Sequence, residues 1–326
     1  MLLFGQGEKV RTISSLLWVF GLALGLSIGL LLSLHPALFS QDESWPLFVW
    51  PVSGTSTPDL PQSSAYGPRL RASCGRCYDF HQGIDIPTPI STTLRAVLTG
   101  TVRIAGSHPL YSDGIVQLDH GNKLYTNYIH VAASLVVTGQ VVAPGEPVAL
   151  SGVGDNGFPH LHFETRQGSV LRQDAVNSYR YLPYTDTLRH TLAITEVLEA
   201  GAVWLRVTTP GDELDLNAIT LTVRSAITGG LLAETGLDYE AHNKKYLGDP
   251  AQIDIPDLDG VLIQPLVYAT NTPVYVVDFF FHNLPGLGAV HIDACALDVN
   301  ANTACDTAVG VFGRQLFLPQ ITQSNP

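Results

Sequence analysis

The stretch Gly157-Phe158-Pro159-His160-Leu161-His162-Phe163-Glu164 decides the reading of this chain. His160 and His162 stand two residues apart, and side chains at i and i+2 of a strand share one face. Both imidazoles are therefore expected in one space, with Leu161 and Phe163 on the opposite, apolar face. A lone histidine is most often structural, whereas two at strand spacing behind Gly157-Phe158-Pro159 form a candidate site. Further out, His81-Gln82-Gly83-Ile84-Asp85 places an imidazole and a carboxylate four residues apart. Gly83, the branched Ile84 and Ile86, and Pro87 argue for extended chain rather than helix. Tyr128-Ile129-His130 adds a fourth histidine. Four histidines and one carboxylate suffice for a catalytic metal site with two residues left for proton transfer. Three protein ligands plus an open position is the arrangement that lets zinc activate a water.

The rest of the chain sets the frame. With 326 residues, two domains are expected. Charged residues make up only 14%, and 30 Gly and 21 Pro fit short strands joined by turns. A net charge of -12 makes nucleic acid a poor partner, because binding phosphate needs basic stripes. From about Trp45 to Tyr184, runs such as Thr99–Ala105, Gly114–Asp119 and Gln140–Ala143 read as strands of an antiparallel β domain. Residues 41–66, rich in Pro, Ser and Thr, read as a linker leading into it. Beyond about residue 190, Val203–Val207, Val274–Phe279 and Val290–Ala294 also read as strands. Ala218–Arg224 alternates apolar and polar residues as a half-buried strand should. A small sandwich is the expectation there.

Lys9 and Arg11 precede an apolar run from Ile13 to Leu34, long enough to cross a bilayer as a helix. Leu38-Phe39-Ser40 is a poor cleavage site, so an uncleaved anchor is expected, with a cleaved signal as the alternative. The basic flank stays cytoplasmic and puts the chain after about residue 40 outside. Four cysteines suit such a compartment. Cys74 with Cys77, and Cys295 with Cys305, are the simplest of three pairings.

The separated motifs together resemble the lysostaphin-type zinc metalloendopeptidases, the LytM-like peptidoglycan hydrolases. That pattern is a His-x-x-x-Asp segment, a later Tyr-x-His and a closing His-Leu-His-Phe, all found here in order. Trp50-Pro51-Val52-Ser53-Gly54, Gly67-Pro68-Arg69, Asp119-His120-Gly121-Asn122 and the segment Gly139–Gly145 support it. The resemblance covers about residues 46–184. It implies His81, Asp85 and His162 as ligands of one zinc ion, with His130 and His160 flanking the metal-bound water. His160 is then expected as base and His130 as stabiliser of the oxyanion. Tyr128 either shares the face of His130 or is a packed strand tyrosine. The implied substrate is the peptide part of bacterial peptidoglycan, taken in an open groove. Two features depart from the family's pattern. Ser151-Gly152-Val153-Gly154-Asp155-Asn156-Gly157 stands where a Ser-Thr-Gly segment is usual, and Cys74 and Cys77 form an insertion before His81.

The expectation is thus an all-β protein. A cytoplasmic stub and transmembrane anchor or signal fill 1–40, and the zinc peptidase domain with its lead-in linker fills 41–184. A β-rich accessory domain of unknown ligand follows over 185–318, then a loose tail, 319–326. Two alternatives stand beside the enzyme. One is a non-catalytic LytM-like regulator of other hydrolases, disfavoured because all five polar positions are present; the other is a wall-binding or adhesion protein dominated by its C-terminal domain. His108, His120, His282 and His291 read as structural or loop residues. Asp298, Asn300 and Asn302 have calcium-loop-like spacing without the Gly and distal Glu of such a loop, so a solvated hairpin tip is preferred.

Overall fold

The structure, a computed structural model, describes residues 47–53, 64–71, 77–109, 111–154, 157–184, 193–199, 202–210, 215–246, 261–269, 272–280 and 288–312. The apolar run 13–34, Cys74, His282 and the tail after 318 lie outside the described residues. Among the described residues, no helix is long and apolar enough to cross a membrane.

A two-stranded ladder of β1 (Gly67–Arg71) and β2 (Cys77–His81) precedes a nine-stranded antiparallel sheet. That sheet holds β3 (Ile84–Pro87), β4 (Thr93–Arg95), β5 (Gly100–His108), β6 (Tyr111–Asp119) and β7 (Leu124–Ser134), followed by β8 (Val141–Val142), β9 (Pro147–Val153), β10 (Pro159–Gln167) and β11 (Ala175–Val176). Its order is β11-β10-β9-β7-β6-β5-β8, with β3 on β10 and β4 on β9.

One strand curls this sheet. Along its far edge β7 pairs with β10 from Leu124 to Ile129, then with β9 from Val131 to Ser134. Meanwhile β9 also pairs with β10 at Gly152 and Val153. Three mutually paired strands cannot lie flat, so the sheet bends into a half-barrel. The change of partner falls at His130, whose φ of 62° is left-handed. Register shifts flank it, between Gly114 and Ile115 on β6 and between Val131 and Ala133 on β7. Bulges of this kind raise local twist and re-aim a side chain.

The sheet's closed face is apolar. Leu161 and Phe163 of β10 are fully buried with Ile84, Ile86 and Tyr128. The Tyr128 ring meets Phe163 edge-on at 5.3 Å, and its hydroxyl accepts from the Val97 N–H at 3.0 Å. The bulge turns His130 away from Tyr128's face, and Tyr128 is a packed core residue.

The C-terminal half forms two four-stranded antiparallel sheets. One is ordered β12 (Ala193–Glu199), β13 (Ala202–Pro210), β17 (Thr272–Phe280), β16 (Val261–Ala269). The other runs β15 (Leu231–Asp238), β14 (Leu216–Ser225), β18 (Gly288–Asp298), β19 (Thr303–Phe312). The chain changes sheet three times, after β13, β15 and β17, so the central pairs β13–β17 and β14–β18 interlock the two. Alternation holds as expected: Ile219, Leu221 and Val223 of β14 are buried, as are Val290, Ile292, Ala294 and Ala296 of β18. At the β18–β19 tip, the Asp298 carboxylate accepts the N–H groups of Asn300 and Asn302 at 2.7 and 2.9 Å and the Asn302 side chain at 2.9 Å. It is a self-capped hairpin tip. Cys295 and Cys305 face each other in register and are bonded through sulfur.

One helix was not foreseen, α1 (Tyr239–Tyr246). Asp238 caps it by accepting the Ala241 N–H at 2.8 Å. At eight residues it is too short to show a helical period in sequence. A single core runs through both halves, from Phe48 and Leu94 through Tyr239 to Leu221 and Ile292.

Candidate metal centre

Three elements deliver the candidate ligands. His81 ends β2, Asp85 lies in β3 and His162 in β10, where register pairs it directly with Asp85. The turn between β2 and β3 is pressed onto β10. A Cβ on Gly83 would come within 2.4 Å of the Phe163 carbonyl oxygen, so only glycine permits this approach.

The donor atoms converge. His81 Nε2 stands 3.1 Å from Asp85 Oδ1 and 2.9 Å from His162 Nδ1; His162 Nδ1 stands 2.9 Å from Asp85 Oδ1. These edges approach the ~3.3 Å edge of a tetrahedron with zinc bonds of about 2.0 Å. The outer nitrogens fix what each ring offers. His81 Nδ1 donates to the Ala65 carbonyl at 2.8 Å, and His162 Nε2 donates to Glu164 at 3.1 Å. Each imidazole therefore turns a bare lone pair inward, onto a carboxylate oxygen. With both rings neutral, these would be three acceptors facing one another, a cluster that a bound cation or a shared proton satisfies. The donor set of two imidazoles and a carboxylate suits zinc.

Titration follows the same logic. Burial opposes the charge on Asp85, yet the positive charge of His81 and the hydrogen bond from His162 outweigh it and hold the carboxyl well below its usual range. Burial likewise disfavours a charged His162, but hydrogen bonds to Asp85 and Glu164 prevail and push its pKa up to about 9. In the metal-free protein a proton meets the need that a cation meets otherwise. Glu164 is itself held low against burial, first by Arg166, which donates to it at 2.8 and 2.5 Å, and then by His162. Asn127 completes its shell at 2.7 Å.

The remaining two histidines stand beside this cluster. His160 packs its ring 4.7 Å from that of His130, and His160 Nε2 is 3.6 Å from Asp85 Oδ1. Its Nδ1 donates to the Phe158 carbonyl at 2.9 Å. His130 Nδ1 meets the Asp113 carboxylate at 2.8 Å, and burial lowers its pKa despite that bond. Both rings thus point Nε2 inward. His81, Asp85 and His160 are buried, while the His130 and His162 side chains keep 15% and 13% exposure, which leaves the cluster open on one side. Gly154 makes room for the pair: a Cβ there would lie 2.3 Å from His160 Cε1. Phe158 and Val153 are exposed apolar residues in and beside the loop that leads to His160.

All five residues singled out in the sequence come together here. His120 does not: it bonds the Thr99 carbonyl and Thr126 at 2.9 and 2.8 Å beneath the sheet's turn. His108 ends β5 against Tyr111, and His291 is exposed on β18. Sequence reasoning gave no role to Glu164 or Asp113. Glu164 was legible, two residues past His162 on the same strand face. Asp113 was not, because its approach to His130 depends on the bulge between β6 and β7.

These features define a β protein with a His-Asp-His cluster that could hold a metal ion and two further imidazoles at an open sheet face. Residues 79–177 match the model of Peptidase family M23, which identifies that stretch as an M23 peptidase domain. Peptidoglycan DD-endopeptidase ShyA of Vibrio cholerae is 36% identical over 119 residues, which are 36% of this chain and 26% of ShyA. DD-carboxypeptidase/endopeptidase Mpg of Neisseria meningitidis is 31% identical over 105 residues, 32% of this chain and 24% of Mpg. The chain therefore spans about a quarter of the length of these relatives. Among solved structures, the catalytic domain of the antimicrobial peptidase lysostaphin from Staphylococcus simulans shares 24% identity, covering 36% of this chain and 88% of that domain with a TM-score of 0.33.

Proposed function

We propose that the protein is a zinc metalloendopeptidase that hydrolyses peptide cross-links or stem peptides of bacterial peptidoglycan. The observation that carries this reading is the convergence of three potential ligand atoms, His81 Nε2, Asp85 Oδ1 and His162 Nδ1. The peptidoglycan substrate comes from the activities named for ShyA and Mpg. His81, Asp85 and His162 would hold one zinc ion, which when bound polarises the scissile carbonyl and activates a water.

The protein's own groups divide the remaining work. In their neutral forms His130 and His160 both present a bare Nε2 to the site. Only His130 has a carboxylate behind it, and Asp113 stabilises the imidazolium that forms when a proton is taken up. We therefore assign proton uptake to His130, reversing the sequence expectation. His160, backed only by the Phe158 carbonyl, orients the attacked group beside the ligands. Phe158 and Val153 border an open groove suited to small peptide side chains.

The wider assignments belong to the same proposal: an anchor at 13–34, a peptidase domain to about residue 184, an accessory domain of two sheets, and an extracytoplasmic location that favours disulfides at Cys74–Cys77 and Cys295–Cys305. The experiment is digestion of purified peptidoglycan with and without a zinc chelator, with the released fragments identified by mass spectrometry. Chelator-sensitive peptide cleavage is expected, and His81→Ala should lose both zinc and cleavage. A His81→Ala protein that still cleaves would overturn the reading.

A further inference from the structure

The turn that presents His81 is held from two sides. On one, Gly83 lies against β10. On the other, neighbours of His81 in the extended chain point away from the metal cluster, and they meet α1 of the C-terminal half together with Arg172. Gln82, buried, donates to Asn243 Oδ1 of α1 at 3.3 Å and accepts from Arg172 at 2.7 Å. Asn243, fully buried, donates in turn to the Arg172 carbonyl at 2.9 Å. One residue to the other side, the Phe80 ring packs 5.7 Å from that of His242. Tyr239 lies flat over Gly67 of β1, where a Cβ would come within 2.9 Å of its ring. The helix is anchored by Arg180, which donates to Glu240 at 2.8 Å.

We propose that α1, supplied by the C-terminal half, positions the ligand His81 through the Gln82–Asn243–Arg172 node, so that the accessory half is part of the metal centre's scaffold. The inference rests on the metal-centre reading above. A ligand's direction is set by its backbone, and Gln82 and Phe80, on either side of His81, are the residues α1 grips. Buried amide groups without partners are costly, so the node has one satisfied arrangement and resists small shifts.

The test uses the full chain with two substitutions, Asn243→Ala and the near-isosteric Gln82→Met. Zinc affinity is measured by competition with a chromophoric chelator, and the visible absorption of the cobalt(II)-loaded protein reports ligand geometry. Each variant is expected to bind zinc about tenfold more weakly, in line with loss of an outer-shell partner, and to show shifted cobalt bands while its circular dichroism stays that of the parent. Wild-type affinity and wild-type cobalt bands in a folded Gln82→Met protein would overturn the proposal even if Asn243→Ala fails to fold. A parent protein that binds neither metal would instead overturn the metal-centre reading beneath it.

Discussion

The outer nitrogen of each histidine decides what its inner nitrogen can do. Ala65, Glu164, Phe158 and Asp113 each partner one ring nitrogen, and the other nitrogens of His81, His162 and His160 lie 3.1, 2.9 and 3.6 Å from the Asp85 carboxylate. Asp113→Asn replaces the carboxylate that stabilises a charged His130 with a neutral amide. It should lower kcat by up to about 100-fold, the lower bound of general-base catalysis, with KM and zinc content unchanged; steady-state kinetics on a soluble cross-linked peptide checks this. The metal-free protein carries a pH signature at His162. Its folded pKa of about 9 exceeds the ordinary unfolded value, so its contribution is full below about pH 6.5 and is lost as pH rises through 9. That contribution amounts to up to about 3 kcal/mol. Asp85 and Glu164, both held low, act oppositely: their contributions are present above the usual carboxylate range and lost as pH falls below it. Thermal midpoints in chelator across pH should therefore fall on both the alkaline and acid sides. Saturating zinc should flatten the alkaline limb, because the metal binds the deprotonated ring.

At the scale of elements, the site exists because β7 changes partners. Up to Ile129 the strand belongs with β10, and beyond Val131 with β9, so the residue between them sits in the left-handed region at φ 62°. A non-glycine there is strained by roughly 1–2 kcal/mol, and the bond to Asp113 helps hold it. His130→Gly removes that strain along with the imidazole. Stability should hold or rise by up to about 1 kcal/mol while peptidoglycan cleavage is lost. Denaturant titration beside the activity assay reads both, and a marked destabilisation would show that the ring, not the backbone, sets this bend. Strand β10 works differently. Leu161 and Phe163 anchor one face in the core, and the intervening face carries His160, His162 and Glu164. Glu164 in turn is locked by Arg166 two residues further on.

For the whole molecule, continuity of the core matters most. Tyr66, Phe80 and Leu94 of the N-terminal half belong to the same buried cluster as Tyr239, Leu237 and Leu221. Tyr184 donates to Asp215 at 2.7 Å and accepts from Asn300 at 2.6 Å, tying the end of the first half to the β18–β19 tip. Residues 45–326 should accordingly unfold in one calorimetric transition, and a chain ending at residue 184 should melt lower or aggregate. Two well-separated transitions in the longer chain would show that the halves fold independently.

The chain's own order of residues determined the chemistry and the element types. Spacing of two in His160-Leu161-His162 placed both rings on one strand face, and the alternation over Ala218–Arg224 marked a half-buried strand, because these periods are local properties of an extended backbone. Glu164 was within reach of the same rule. Tertiary structure decided the rest: the bulge at His130, the pairing of Asp113 with it, and the return of α1 to grip Gln82. Each depends on which strands meet and in what register, and on contacts between residues as distant as Gln82 and Asn243. No local period encodes such contacts; they form because closing the core brings buried polar groups together and leaves each of them to find a partner.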